Sequence, residues 1–326
     1  MLLKVKNKLS EFSGQTSIII ALVAELIIFG CLSKYFFTIN NFKNVMLYVA
    51  YTGMMAAGAT IPMLMGNLDI SQWATATLSG VVATILIMNY GWPSWVVIFV
   101  VILVGVVVGL FNGFIVSVLN FVPMIATMSS MLVIRSVCYI LTESKTLLFQ
   151  DKMFNQLGTG FTFGMPNSMW LMLVVFLVLS FVLRRTRFGH NAYAVGANKG
   201  ASFLAGIPIV RIQIIGYIIS AACAAFAGII MTAQVGAIVP ATGVGQEMEV
   251  IAAIVLGGLS LDGGEGKLSG TFLGAIVMTL ISNGLTLLSV QSYYQMFAKG
   301  IILLVAVYID SLRKNLTAKS LKKAAS

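Results

Sequence analysis

Very few residues in this chain could carry chemistry. Its single histidine, His190, lies beside Arg187 in a basic stretch, and no nucleophile or metal-binding neighbour is evident at the same place. A catalytic triad or a zinc site needs such companions, so His190 reads as a surface-loop histidine. Cys31, Cys138 and Cys223 are far apart, and each sits in an apolar run. No spacing among them suits zinc, and an odd count argues against a disulfide framework. They read as small buried hydrophobes. The glycine-rich run Gly257 to Lys267 ends in Gly-Lys, as a phosphate-binding loop does. Its spacing fails, because Leu261 stands where that loop needs Gly and Leu268 where it needs Ser or Thr. No paired-carboxylate pattern of a hydrolase is present. The sequence therefore offers no resident metal, nucleotide or covalent chemistry, and no cofactor is expected.

Two kinds of polar residue remain. Glu25, Arg135 and Lys299 each interrupt an apolar run, and ionisable groups in such places are costly and suspect by default. Arg135 reads as a structural hydrogen-bond or ion-pair residue, and Lys299 as able to reach outward along its own stem. The second kind is the break Gly66-Asn67-Leu68-Asp69-Ile70-Ser71-Gln72, which contains no Lys or Arg. Asp69 can cap the helix that follows. Alternatively, the break is irregular backbone lining a polar pathway, which is tolerated near membrane depth only where protein or water covers it.

The elements that position these residues follow from composition. Of 326 residues, 59% are hydrophobic and 9% charged, with a mean hydropathy of +0.99. A soluble domain carries about 25% charged residues, and disorder needs low hydrophobicity with high net charge; both are excluded. The fold class expected is an all-α integral membrane bundle of about ten spans. The runs lie near residues 17–37, 43–66, 72–89, 95–120, 123–141, 168–183, 212–236, 248–259, 268–288 and 294–311, the eighth being short for a crossing. The first reads as a span rather than a cleaved leader, since it is long, contains Glu25 and is followed by further apolar runs.

The net charge of +10 reads as an orientation signal. With the N-terminus inside, inner segments hold Lys4, Lys6, Lys8, Arg184, Arg185, Arg187, Lys199, Arg211, Lys267 and the tail residues Arg313, Lys314, Lys319, Lys322 and Lys323. Outer segments hold only Lys34, Lys43, Lys145 and Lys152. Both termini are thus expected in the cytoplasm. The whole chain, 1–326, reads as one transmembrane domain, with an inner segment at 1–16, an inner basic loop at 184–211 and a basic tail at 312–326. Gly105 with Gly109, Gly270 with Gly274, and the Ala-rich seventh run read as close helix packing.

With these features in view, the sequence resembles the permeases of sugar-type ATP-binding cassette importers, and ribose permeases in particular. Gly66 to Ser71 resembles their Gly-x-x-Asp-Leu-Ser signature. Phe111-Asn112-Gly113 and Pro123 to Met128 resemble two further segments. Ala194 to Ile207 resembles their cytoplasmic coupling segment, and Ala252 to Leu261, Gly263 to Gly266 and Gln291 to Met296 resemble later ones. The likeness covers about residues 45–312.

The resemblance implies a subunit of the bacterial cell (inner) membrane that moves a small neutral sugar inward. It would pair with a second permease copy, bind an ATPase subunit that holds the ATP, and receive solute from an extracytoplasmic binding protein. Nucleic acid is not an expected partner; membrane lipid is. Asn67, Asp69, Ser71, Asn112 and Thr127 are the candidates for the solute path or its supporting loops. Asn198, Ala201, Phe203, Leu204, Gly206 and Ile207 are the candidates for ATPase coupling. Phe203, Leu204 and Ile207 form an apolar stripe that a partner groove could receive, with Gly206 and Pro208 ending the helix. Lys199 is a departure, since such permeases often carry an acidic residue there, and it bears on the polarity of the contact. The alternative is an ion-coupled secondary carrier of a small polar solute, although such carriers usually show a clearer mid-membrane carboxylate cluster.

Overall fold

The computed structural model describes residues 18–305, 307 and 308. The inner segment 1–16 and the basic tail 312–326 lie outside the described residues. The chain is helical almost throughout. Helix α1 covers Ile18–Leu32, and α2 runs over Ile39–Leu64, with Thr38 Oγ1 accepting the N–H of Asn41 at its start. Gly66, at φ +73°, turns the chain into the irregular break 66–71. Helix α3 (Gln72–Thr84) continues into a π-turn at Ile85–Asn89. Helix α4 is Ser94–Ser117, and α5 is Pro123–Thr142, where proline at the first turn suits a position with no intrahelical bond to lose.

The long outer loop expected after α5 is structured. It contains α6 (Lys152–Gly158), a hairpin of β2 (Phe161–Thr162) with β3 (Met165–Pro166), and β1 (Leu147–Leu148), which pairs with β4 (Ala237–Ile238). Helix α7 is Asn167–Arg185. The expected basic loop is two helices, α8 (Arg187–Ala197) and α9 (Lys199–Leu204). Helix α10 (Ile209–Val235) ends at Gly236 in the left-handed conformation. Helices α11 (Glu247–Leu256), α12 (Leu268–Leu287) and α13 (292–305) complete the described chain.

Among the described residues, six helices are long and apolar enough to cross a membrane: α2, α4, α5, α7, α10 and α12. The other four expected spans are helical but shorter within the described residues. The first stops at Leu32 instead of continuing to Phe37, because residues 34–37 form turns. Packing centres on α2 and α10, with α10 lying against α2, α3 and α4, and α12 against α2 and α11. Burial is inverted relative to a soluble protein. The most apolar of the six, α4, is among the least buried, whereas α2, the least apolar, is the most buried. Lipid tails are as apolar as Leu, so close backbone approach by small residues binds these helices together. A Cβ on Gly105 would meet Ala221 O at 2.7 Å, and one on Gly109 would meet Ile218 Cα at 2.5 Å. Gly270 and Gly274 likewise abut the backbone of Gly257 and Ala253. Both Gly-x-x-x-Gly pairs are packing seams, as expected.

Candidate solute path and docking segment

The break between α2 and α3 is held by Asp69, which is 3% exposed. Its Oδ1 accepts the backbone N–H of Ser71 at 3.1 Å and the Ser71 hydroxyl at 2.6 Å. Its Oδ2 accepts Gln72 Nε2 at 2.9 Å and the Ser220 hydroxyl of α10 at 2.8 Å. Gln72 and Ser220 also bond to each other. None of the ion pairs among the described residues includes Asp69; four neutral donors compensate its burial instead. Asp69 does not itself cap α3: the cap position is Ser71, whose N–H Asp69 binds and whose own side chain makes no capping bond.

The other four path candidates converge on the same place. Asn112 of α4 donates to Ser71 Oγ at 2.9 Å. Thr127 of α5 accepts the Ile70 N–H at 3.3 Å and donates to Pro123 O at 2.9 Å. Asn67 is buried, and its Nδ2 has no hydrogen-bond partner among the described residues, as is also true of Asn112 Oδ1 and Gln72 Oε1. Five residues from three segments of the sequence, the break, α4 and α5, thus lie at one buried polar junction. Three members were not singled out in the sequence: Gln72, Ser220 and Tyr217, whose hydroxyl donates to Leu68 O at 3.3 Å.

Two of the three charged residues within apolar runs find partners. Arg135 Nη2 lies 3.2 Å from Glu247 Oε1, and its Nη1 donates to Thr242 O at 3.0 Å, so its reading as a structural ion-pair residue holds. Lys299 does not reach outward. Its Nζ lies 2.7 Å from Oε2 of Glu249, a residue 4% exposed that the sequence reading passed over. Glu25 Oε2 is buried with no hydrogen-bond partner among the described residues.

At one end of the bundle, α8 and α9 form the segment between α7 and α10. Asn198 caps α9 by accepting the Ala201 N–H at 2.9 Å. Phe203 is 73% and Leu204 87% exposed, while Ser202 faces inward. Gly206, at φ +74°, reverses the chain, and Ile207 is half-buried. Asn198, Ala201 and Gly206 are exposed. The apolar stripe expected here is therefore led by Phe203 and Leu204, with Ile207 turned partly into the protein. His190 is exposed and bonds only to Thr186 O among the described residues, at 2.8 Å. The described residues contain no cluster of three or more His, Cys, Asp or Glu that could hold a metal.

Long apolar helices around a buried polar junction, with an apolar segment projecting at one end, define the class as a multi-pass membrane protein. The family described as "Branched-chain amino acid transport system / permease component" matches residues 41–307, and the chain belongs to it. It is similar to the ribose import permease protein of Haemophilus influenzae, with 33% identity over 94% of this chain and 98% of that one. It is also similar to the ribose import permease protein of Escherichia coli K12, at 36% over 91% and 93%. The L-arabinose transport system permease protein of the same strain is 32% identical over 86% and 85%. No solved structure matches the chain significantly. The chain is thus a permease component and a multi-pass protein of the inner membrane.

Proposed function

We propose that this chain is the membrane subunit of an ATP-binding cassette importer that carries a small neutral sugar, ribose or a related monosaccharide, into the cytoplasm. The observation that carries the reading is the end-to-end likeness to ribose import permeases. The family description names branched-chain amino acids. An amino acid brings a carboxylate and an ammonium that need counter-charges, whereas the junction around Asp69 offers hydroxyls and amides, which suit sugar hydroxyls.

In this reading the chain crosses the membrane ten times with both ends in the cytoplasm, and two copies pair. The ATPase subunit docks on the segment from Asn198 to Ile207 and supplies the ATP site. A binding protein delivers solute from outside. Asn67, Asp69, Ser71, Asn112 and Thr127 line the path or fix the loop beside it. The exposure of Phe203 and Leu204 supports the dock, because apolar side chains leading a helix in a polar compartment favour a partner groove.

The test is uptake of labelled ribose, arabinose and leucine by proteoliposomes containing this chain with the ATPase and binding protein encoded beside it. Ribose uptake that requires ATP and both partners is expected. Uptake by the purified chain alone, abolished by a protonophore, would instead establish the ion-coupled carrier.

A further inference from the structure

The docking segment and the Asp69 junction are distant in sequence but share a joint made of backbone. Leu64 closes α2, and its carbonyl is one of those a helix C-terminus leaves without an intrahelical partner. The N–H of Gly264, in the glycine-rich run between α11 and α12, takes that carbonyl at 2.8 Å. Gly196, one residue before the end of α8, packs onto the same spot. A Cβ there would collide with Leu64 O and lie 2.5 Å from Gly264 N. On the other side of the run, a Cβ on Gly263 would lie 2.8 Å from Leu64 O, and one on Gly66 would lie 2.8 Å from Asp262 O. The Tyr193 hydroxyl of α8 adds a bond to Gly266 O at 2.9 Å. Burial raises that phenol above its ordinary range, so it remains a donor.

We propose that Gly196, Gly263 and Gly264 form a relay that transmits movement of the docking segment to the α2–α3 break. These are positioning residues for transport, and the proposal rests on the reading of 198–207 as the ATPase dock. A side-chain contact can absorb displacement by changing rotamer. Here backbone meets backbone with nothing between, and packed interiors transmit strain. Movement of α8 therefore displaces Leu64 and Gly66, which run directly into Asn67 and Asp69. This also gives the glycine-rich run a role that its failed phosphate-loop spacing left open.

The test uses the complete complex in proteoliposomes and reads sugar moved per ATP hydrolysed. Gly196→Ala is expected to keep ATPase co-purification and basal hydrolysis while transport per ATP falls about tenfold, a coupling loss of ordinary size. Gly300→Ala, in α13 and outside both the dock and the joint, is the control, since its added Cβ meets nothing within 4 Å, and it should behave as the unsubstituted chain. Tyr193→Phe removes one bond of the joint without adding volume, so it decides the matter if Gly196→Ala does not fold; a several-fold loss of transport per ATP is expected. Unchanged transport per ATP in the variants that fold overturns the relay, as does loss of ATPase association in Gly196→Ala. An unsubstituted chain that binds no ATPase overturns the docking assignment and the relay together.

Discussion

At the residue scale, the buried charges differ in how they are compensated. Asp69 is satisfied by neutral donors, whereas Glu249 relies on Lys299 at 2.7 Å, with the Ser282 hydroxyl at 3.5 Å. Removing one member of a buried pair strands the other charge. Lys299→Met is therefore expected to destabilise the protein by about 3–5 kcal/mol, and adding Glu249→Gln should restore most of that. A double-mutant cycle by denaturation in detergent measures it; additive losses would show that the two groups do not interact. Sequence could not reveal this pair, because the partners are fifty positions apart in separate helices. Asp69 was legible, since a carboxylate between two glycine- and proline-punctuated apolar runs has few ordinary explanations. Its donor Ser220 was not, because a hydroxyl inside a helix most often bonds its own backbone.

At the element scale, α9 is the most exposed apolar feature of the basic segment. Leu204 is nearly free of contacts with the rest of the chain, so replacing it costs little folding energy. Leu204→Asp is expected to leave membrane insertion and melting unchanged and to abolish ATPase co-purification. Normal co-purification would remove α9 from the interface. The sequence showed the apolar stripe but not which members project. Phe203 and Leu204 do, while Ile207 folds back towards α10 beyond the reversal at Gly206. The shortness of α11 was also visible, from the length of its apolar run at 248–259. That α8 is a helix was not, because its small and basic residues form no long apolar face.

At the scale of the whole molecule, the inverted burial makes the interior the less apolar part, so polar seams hold it together. Along α2 and α12, Asn41 and Asn283 exchange amide bonds at 2.8 and 3.0 Å, and Thr60 meets Thr271 at 3.0 Å. The count of long helices is where sequence and structure part: within the described residues α1 stops at the turns after Leu32, α3 passes into the π-turn at Ile85–Asn89, and α11 ends at Gly257. Orientation gives the sharpest whole-molecule prediction. A cysteine at Lys199 should react with an impermeant thiol reagent only from the cytoplasmic side, and one at Lys145 only from outside. The reverse pattern would invert the molecule.

The unequal lengths of the crossing helices have a mechanical consequence. At about 1.5 Å per residue, the 26, 24 and 27 residues of α2, α4 and α10 span nearly 40 Å at their longest, against about 30 Å of hydrocarbon. The 20, 19 and 20 residues of α5, α7 and α12 match that thickness. Of the long trio, α2 and α4 both pack on α10, so the three accommodate the mismatch by leaning together. Of the three, α4 presents its length most openly to lipid. A thinner bilayer therefore increases the lean of α4 and, through the glycine seam, of the α10 that supplies Ser220 to Asp69. Membrane thickness reaches the polar junction without any lipid touching it.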